Sequence, residues 1–236
     1  MANFDIRVIV EKALELPGVR INREEYLRRE FSKDKYKKIL DDIIKQGPIK
    51  AGIKHDDLEK HAKKSINLET TKATTLSFLS GLPGGVAMVG TIPADIVQFY
   101  GHVLRVIQKL MYLYGWYDIN TDEMDDGITN IIIIFLGVMN GVEAAQQALK
   151  QLCVAITEKT TSSIAAKALT RAALYPVAKK VSAQMSVKMV NQAAAKGAAK
   201  VVPVIGGIVS GGLTILTFKP MSHRLLKELK EDSYDC

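Results

Sequence analysis

Cysteine is nearly absent. Only Cys153 and Cys236 occur in 236 residues, too few for a disulfide framework, and the expectation is a reducing, intracellular compartment. Nothing follows Cys236 in the sequence, whereas a prenylation signal needs three further residues. The opening MANFDIRVIVEKALEL is interrupted by Asp5, Arg7, Glu11 and Lys12 and leads to no small-residue cleavage site, which argues against a secretory signal. His55, His61, His102 and His223 make no HExxH pattern and have no cysteine partners at zinc spacing. Gly81-Leu-Pro-Gly84-Gly85 and Gly206-Gly207 fit neither a dinucleotide fingerprint nor a P-loop, and neither Ser80 nor Ser210 sits in GxSxG. Asp118-Ile-Asn120-Thr-Asp122 starts like a calcium loop. However, Glu123 stands where its sharp turn needs Gly, and Thr129 stands where a bidentate Glu is required. No metal, cofactor or nucleophile is therefore expected.

Long apolar runs are also scarce. The uncharged lengths are 22 residues (Ala73–Ala94), 16 (Gly127–Val142) and 18 (Val201–Phe218). A bilayer span takes about 20 mainly apolar residues, and the first and third stretches are interrupted by Gly and Pro. Aromatics are few, at 6 %, while Ala, Ile, Val and Leu abound. The 47 % apolar content excludes wholesale disorder and leans toward helices packed on helices.

One such helix is expected over Pro93–Tyr114, with Pro93 near its first turn and Asp95 complementing its positive end. Its remaining faces are apolar, but Asp95, Gln98, His102, Arg105 and Lys109 recur at steps of three and four and so form one stripe. Asp95, Gln98, His102 and Arg105 are candidate ligand-binding residues, since an acid, an imidazole and a guanidinium on a greasy helix can hold a head group or move protons. In the plainer alternative Asp95 caps the helix and the rest line a polar seam between helices.

Other helices are expected over residues 1–16, from Asn22 (with Glu25 in a capping-box pattern), from Ser32 to Gly47-Pro48, and over the run Ile131–Leu136. Residues 143–157 extend or restart the last of these. Asn120 and Glu123 resemble a further capping box. Pro176 divides residues 159–200 into two helices, with Val177, Val181, Met185 and Met189 on one face. A basic helix, Lys219–Lys230, closes the chain. Gly81, Gly84, Gly85, Gly90, Gly206, Gly207, Gly211 and Gly212 are candidates for close backbone packing, and the spacing of Gly207 and Gly211 lets helices approach.

Charge is unevenly spread. Residues 1–75 hold 17 basic and 13 acidic side chains, residues 76–142 hold 2 and 6, and residues 143–236 hold 13 and 6. No acid occurs between Glu158 and Glu228, whereas an ordinary solvated face mixes both signs. Lys167, Arg171, Lys179, Lys180, Lys188, Lys196 and Lys200 are candidate contacts to a membrane or another anion. A plain solvated face is the alternative. Nucleic acid is disfavoured because few aromatics or arginines accompany the lysines.

Two stretches together resemble the EcsC family. One is SGLPGGVAMVGTIPADIVQFYGHVLRVIQKLMYLYGW (Ser80–Trp116), with its glycine-rich entry, Ala94-Asp95, Arg105 and Tyr114-Gly115. The other is VPVIGGIVSGGLTILTF (Val202–Phe218), similar to the family's late Pro/Gly-Gly segment. The resemblance covers about residues 70–230, and the charged front end, Ile21–Lys64, departs from it. It implies a bacterial, helical protein of a family named for a protein encoded beside an ABC transporter linked to secretion.

The resulting expectation is a single all-α helical bundle over residues 1–236, with charged N-terminal helices (1–69), a family-like part (70–230) and glycine-rich apolar helices at the core. The leading function is a non-enzymatic, cytoplasmic protein attached peripherally to the inner membrane, accessory to a membrane or export system. Its expected partners are an anionic membrane surface and a membrane protein. One alternative is a small-ligand- or lipid-binding protein or enzyme using Asp95, His102 and Arg105. The other is a membrane-inserting pore-forming or immunity-type protein.

Overall fold

Asp5 begins the first helix, α1 (Ile6–Glu15), by accepting the Arg7 amide at 2.9 Å, as an N-cap acid does. Ile6, Ile9, Val10, Ala13 and Leu14 bury one face. Pro17-Gly18 ends it, with Gly18 at φ +71°. Asn22 caps α2 (Arg23–Phe31), its side chain accepting the Glu25 amide at 2.9 Å. The start expected at Ser32 is not used. Ser32 instead closes α2, its amide donating to the Arg28 carbonyl at 2.9 Å. A 3-10 turn, Lys35–Ile39, then leads into α3 (Leu40–Gln46), which Gly47 ends at φ +88°.

The computed structural model describes residues 5–33, 35–80, 88–89, 92–116, 126–158, 174–187 and 203–235, with backbone alone at 76–80, 88–89, 93, 126, 154–158, 203–213 and 232–235. Among these, α4 (His55–Ser80) and α5 (Ala94–Leu113) are joined through a two-residue antiparallel ladder, in which Met88 pairs with Pro93 and Val89 with Ile92. The ladder aside, the described elements are helices, and the protein is all-α. The expected Ile131–Leu136 helix is α6 (Asp126–Met139). Gly141 at φ +71° then turns the chain, so α7 (Glu143–Glu158) restarts rather than extends α6. Residues 174–187 form α8. Pro176 lies in its first described turn, and residues 159–173, the first of the two helices expected around it, lie outside the described residues. Val181 and Met185 are buried on one face, with Val177 packed partly against the core.

The apolar stretch and the basic helix expected at the C-terminal end are one continuous helix, α9 (Pro203–Asp235), with Pro220 inside it. Proline there removes the bond to the residue 216 carbonyl. Leu216 is 72 % exposed, so water can serve that oxygen, and the helix carries on. Gly206, Gly207, Gly211 and Gly212 lie on α9, but their packing is outside the described side chains. Gly81, Gly84, Gly85 and Gly90, the Asn120–Glu123 box and Met189 lie outside the described residues altogether.

The core sits around α5. From Val103 to Leu113 every residue except Arg105 is buried, including Gln108 and Lys109. α1, α2, α4, α6 and α9 pack on it. α4 lies mainly against α9. Lys230 pairs with Glu59 at 2.6 Å, and His223 feels the charges of Lys63 and Glu59, so α4 and α9 run antiparallel. Among the described residues no helix is long and apolar enough to cross a membrane.

Candidate functional site

The polar stripe of α5 meets a carboxylate the sequence analysis did not single out. On α4, Leu58, Ala62, Ile66 and Ala73 form a buried apolar stripe, and Ser65, Glu69 and Thr70 are buried with it. Glu69 is fully buried and collects four bases. Lys109 Nζ donates to Oε1 at 2.6 Å. Arg105 Nε reaches both oxygens at 3.1 Å. His102 Nδ1 lies 2.9 Å from Oε2, and Lys72 Nζ is 3.9 Å from Oε1. Burial alone would raise the Glu69 pKa. The hydrogen bonds from His102 and Lys109 and the charges of Lys109 and Arg105 outweigh it, holding this carboxyl well below the ordinary range. Burial works the other way on Lys109, pushing its ammonium down, while Glu69 pulls it back. Glu69 is ionised, the direction its four basic neighbours all favour.

The candidate residues are thus divided. His102 and Arg105 come together on Glu69, and neither pairs with Asp95. Asp95 is half-buried at the start of α5, seven residues ahead of His102, and Gln98 is exposed. With Lys109 completing the group, the helix presents a polar seam facing α4.

A second set of bonds locks the α1–α2 loop over the same helix. Gln108 Nε2 donates to the Val19 carbonyl at 2.9 Å, while its oxygen accepts the Ile21 amide at 2.9 Å. Tyr112 donates to the Ile21 carbonyl at 3.1 Å. Gly101 leaves room for this approach, since a Cβ there would lie 3.1 Å from Val19 Cγ2 and 3.3 Å from Leu16 Cδ1. The loop carries Gly18 to the outer edge of Arg105, where a Cβ would lie 3.5 Å from Nη1.

The basic candidates lie elsewhere. Lys179 and Lys180 are exposed on α8, and Lys167, Arg171, Lys188, Lys196 and Lys200 fall outside the described residues. Tyr175, Lys179, Ala183 and Val187 stand four apart and are all exposed, so a basic and apolar stripe faces outward. On α9, Ile215, Leu216 and Lys219 are exposed together, as are Arg224 and Lys227 further along. Arg224 also donates to the Met139 carbonyl at 2.7 Å, closing the C-terminus of α6.

Among the described residues two clefts are notable. One of about 480 Å³ opens between the α6–α7 turn and α8, lined by Glu143, Gln147, Lys180 and Gln184 among others. The other, about 360 Å³, is lined by Lys35, Asp57, Lys60, His61 and Lys64. Its basic side chains are engaged, Lys35 and Lys60 with Asp57, and His61 and Lys64 with Glu30. Among the described residues no group of three His, Cys, Asp or Glu side chains is arranged to hold a metal ion. Compared with protein-family models, curated proteins and solved structures, the chain matches none.

Proposed function

We propose that this is a non-enzymatic helical protein that attaches peripherally to an anionic membrane surface through α8 and α9. The observation that carries it is the coincidence of bulky apolar exposure with one-signed charge. Tyr175 (52 % exposed), Val187 (63 %) and Leu216 (72 %), with Ile215, are four of the six large hydrophobic side chains exposed among the described residues. Lys179, Lys180 and Lys219 stand beside them in sequence, in a stretch of chain without a single acid. Exposed apolar side chains supply shallow insertion and lysines supply adhesion, and together they give stable yet reversible attachment. The resemblance to the EcsC family extends this reading to an accessory of a bacterial membrane or export system, with a membrane-protein partner and a place on the inner face of the membrane.

Flotation of the full chain with vesicles tests the attachment. Each lysine near an anionic surface is worth about 1 kcal/mol. Lys179→Gln with Lys180→Gln is therefore expected to weaken partitioning about 30-fold, and Leu216→Ser to weaken it further without altering its salt dependence. Binding that is equal on neutral and anionic vesicles, or absent from both, overturns the proposal.

A further inference from the structure

Glu69 occupies only the inner edges of its partners. Arg105 spends Nε on the carboxylate, and among the described residues Nη1 and Nη2 have no hydrogen-bond partner. His102 spends Nδ1, and Nε2 likewise has none. Lys72, whose side chain is 46 % exposed, touches the group only at 3.9 Å. Three cations face one carboxylate, and no second described acid pairs with Arg105, His102, Lys72 or Lys109. The cluster keeps a positive excess even with His102 neutral.

The geometry points to a binding site for a phosphate-type oxyanion, a free phosphate or a phosphate headgroup, at the outer edge of Arg105 and His102. Glu69 acts there as a positioning residue. Bonded to Nε of one side chain and Nδ1 of the other, it fixes both from behind, so the Arg105 Nη groups are presented without the entropy loss a free arginine incurs. His102 Nε2 donates to the anion when the ring is protonated and accepts from the anion's own O–H when it is neutral. A planar guanidinium offering two Nη atoms matches two oxygens of a tetrahedral or planar anion. Gly18, held at φ +71° by a loop that Gln108 and Tyr112 tie down, stands beside Nη1 and has no side chain to occupy that edge. Lys72 lies at the rim, adding charge without closing the site. The site is on α4 and α5 and does not depend on the membrane reading.

The test follows the Arg105 and His102 side-chain resonances of the isotope-labelled full chain during titration with inorganic phosphate. A parallel series uses vesicles of phosphatidylcholine with or without phosphatidic acid. Saturable shifts of both side chains are expected. Their appearance with inorganic phosphate assigns a free oxyanion, and their appearance only with phosphatidic acid assigns a headgroup. Arg105→Lys is the obvious variant, but it also disturbs Glu69 and can unfold the protein. Gly18→Asp avoids that difficulty, because Asp tolerates the left-handed backbone better than most residues and its carboxylate would take the Nη edge from outside. It should reduce phosphate binding at least tenfold while leaving the fold intact, and Lys72→Gln should reduce it several-fold. No saturable response to either probe, or unchanged binding in Gly18→Asp, overturns the site.

Discussion

Glu69 illustrates what a residue-scale pattern conveys and what it hides. It stands 11 residues after Leu58, three turns along the stripe Leu58–Ala62–Ile66–Ala73, so an acid at a core position of α4 was legible from spacing. Its neighbourhood, Leu-Glu-Thr-Thr-Lys, reads as an ordinary polar surface, and that masked it. Its partners lie 33 to 40 positions away on α5, a pairing no local pattern specifies. Removing one side of such a buried group leaves charge without compensation. Glu69→Gln is expected to cost about 3–5 kcal/mol in urea unfolding. Adding Lys109→Met to Glu69→Leu should recover only part of the loss, because Arg105 and His102 still lack their carboxylate. Glu30 gives a pH prediction. Burial raises its pKa, but hydrogen bonds from His61 and Lys64 more than reverse this, lowering it from 4.5 to about 2. A depressed carboxyl stabilises the fold fully above its ordinary value, and that contribution drains away as pH falls toward 2. Urea midpoints of Glu30→Gln between pH 5 and pH 3 should therefore fall less steeply than those of the parent protein.

At the scale of elements, starts and stops were more legible than continuity. Asn22, Gly47 and Gly115 mark their boundaries by short-range chemistry that any window of five residues contains, whereas Asp5, read as an interruption of a helix over residues 1–16, is the N-cap of α1. Ser32 was misassigned because a serine N-cap and a helical C-cap residue look alike until the following turn is known. The break before Lys219 vanishes in the structure, since α9 runs straight through it, and α4 likewise runs through the change of composition near residue 69. Compositional change along a helix reflects which neighbour each turn meets, not where the helix ends. Packing between helices was the least visible. Gly137 on α6 would place a Cβ 2.6 Å from Ala145 Cβ and 2.8 Å from Val181 Cγ1, so α6, α7 and α8 meet through a missing methyl group. Gly137→Ala gains helix propensity of about 1 kcal/mol but overpacks the junction. A net loss of about 2 kcal/mol in urea denaturation is expected. Arg224→Ala, which uncaps the Met139 carbonyl, should cost about 1 kcal/mol in the same measurement.

For the whole molecule, the all-α class and the central place of α5 followed from helical periodicity and from a composition rich in Ala, Ile, Val and Leu and poor in aromatics. The uneven charge was equally plain, because it is a property of the list of residues. Which basic side chains face outward was not, and there the structure separates Lys179, Lys180 and Lys219 from Arg224, which is tied to α6, and Lys230, which is tied to α4. If α8 and α9 attach the protein to a membrane, a high-salt wash of a host membrane fraction should release it, since such attraction falls off within a Debye length. Retention through both salt and carbonate washes would point instead to insertion.

The antiparallel seating of α9 on α4 also sets a timetable. Glu59 and Lys230 are 171 residues apart, so the α4–α9 contact joins an early segment to a late one. At a synthesis rate of about 5–20 residues per second, α4 waits roughly 10–35 s on the ribosome before its partner exists. For that interval the side of α4 that α9 covers stays open. The nascent chain is therefore a natural client for whatever shields such surfaces in the cell, and slowing translation after α4 should lower the yield of folded protein more than slowing it before.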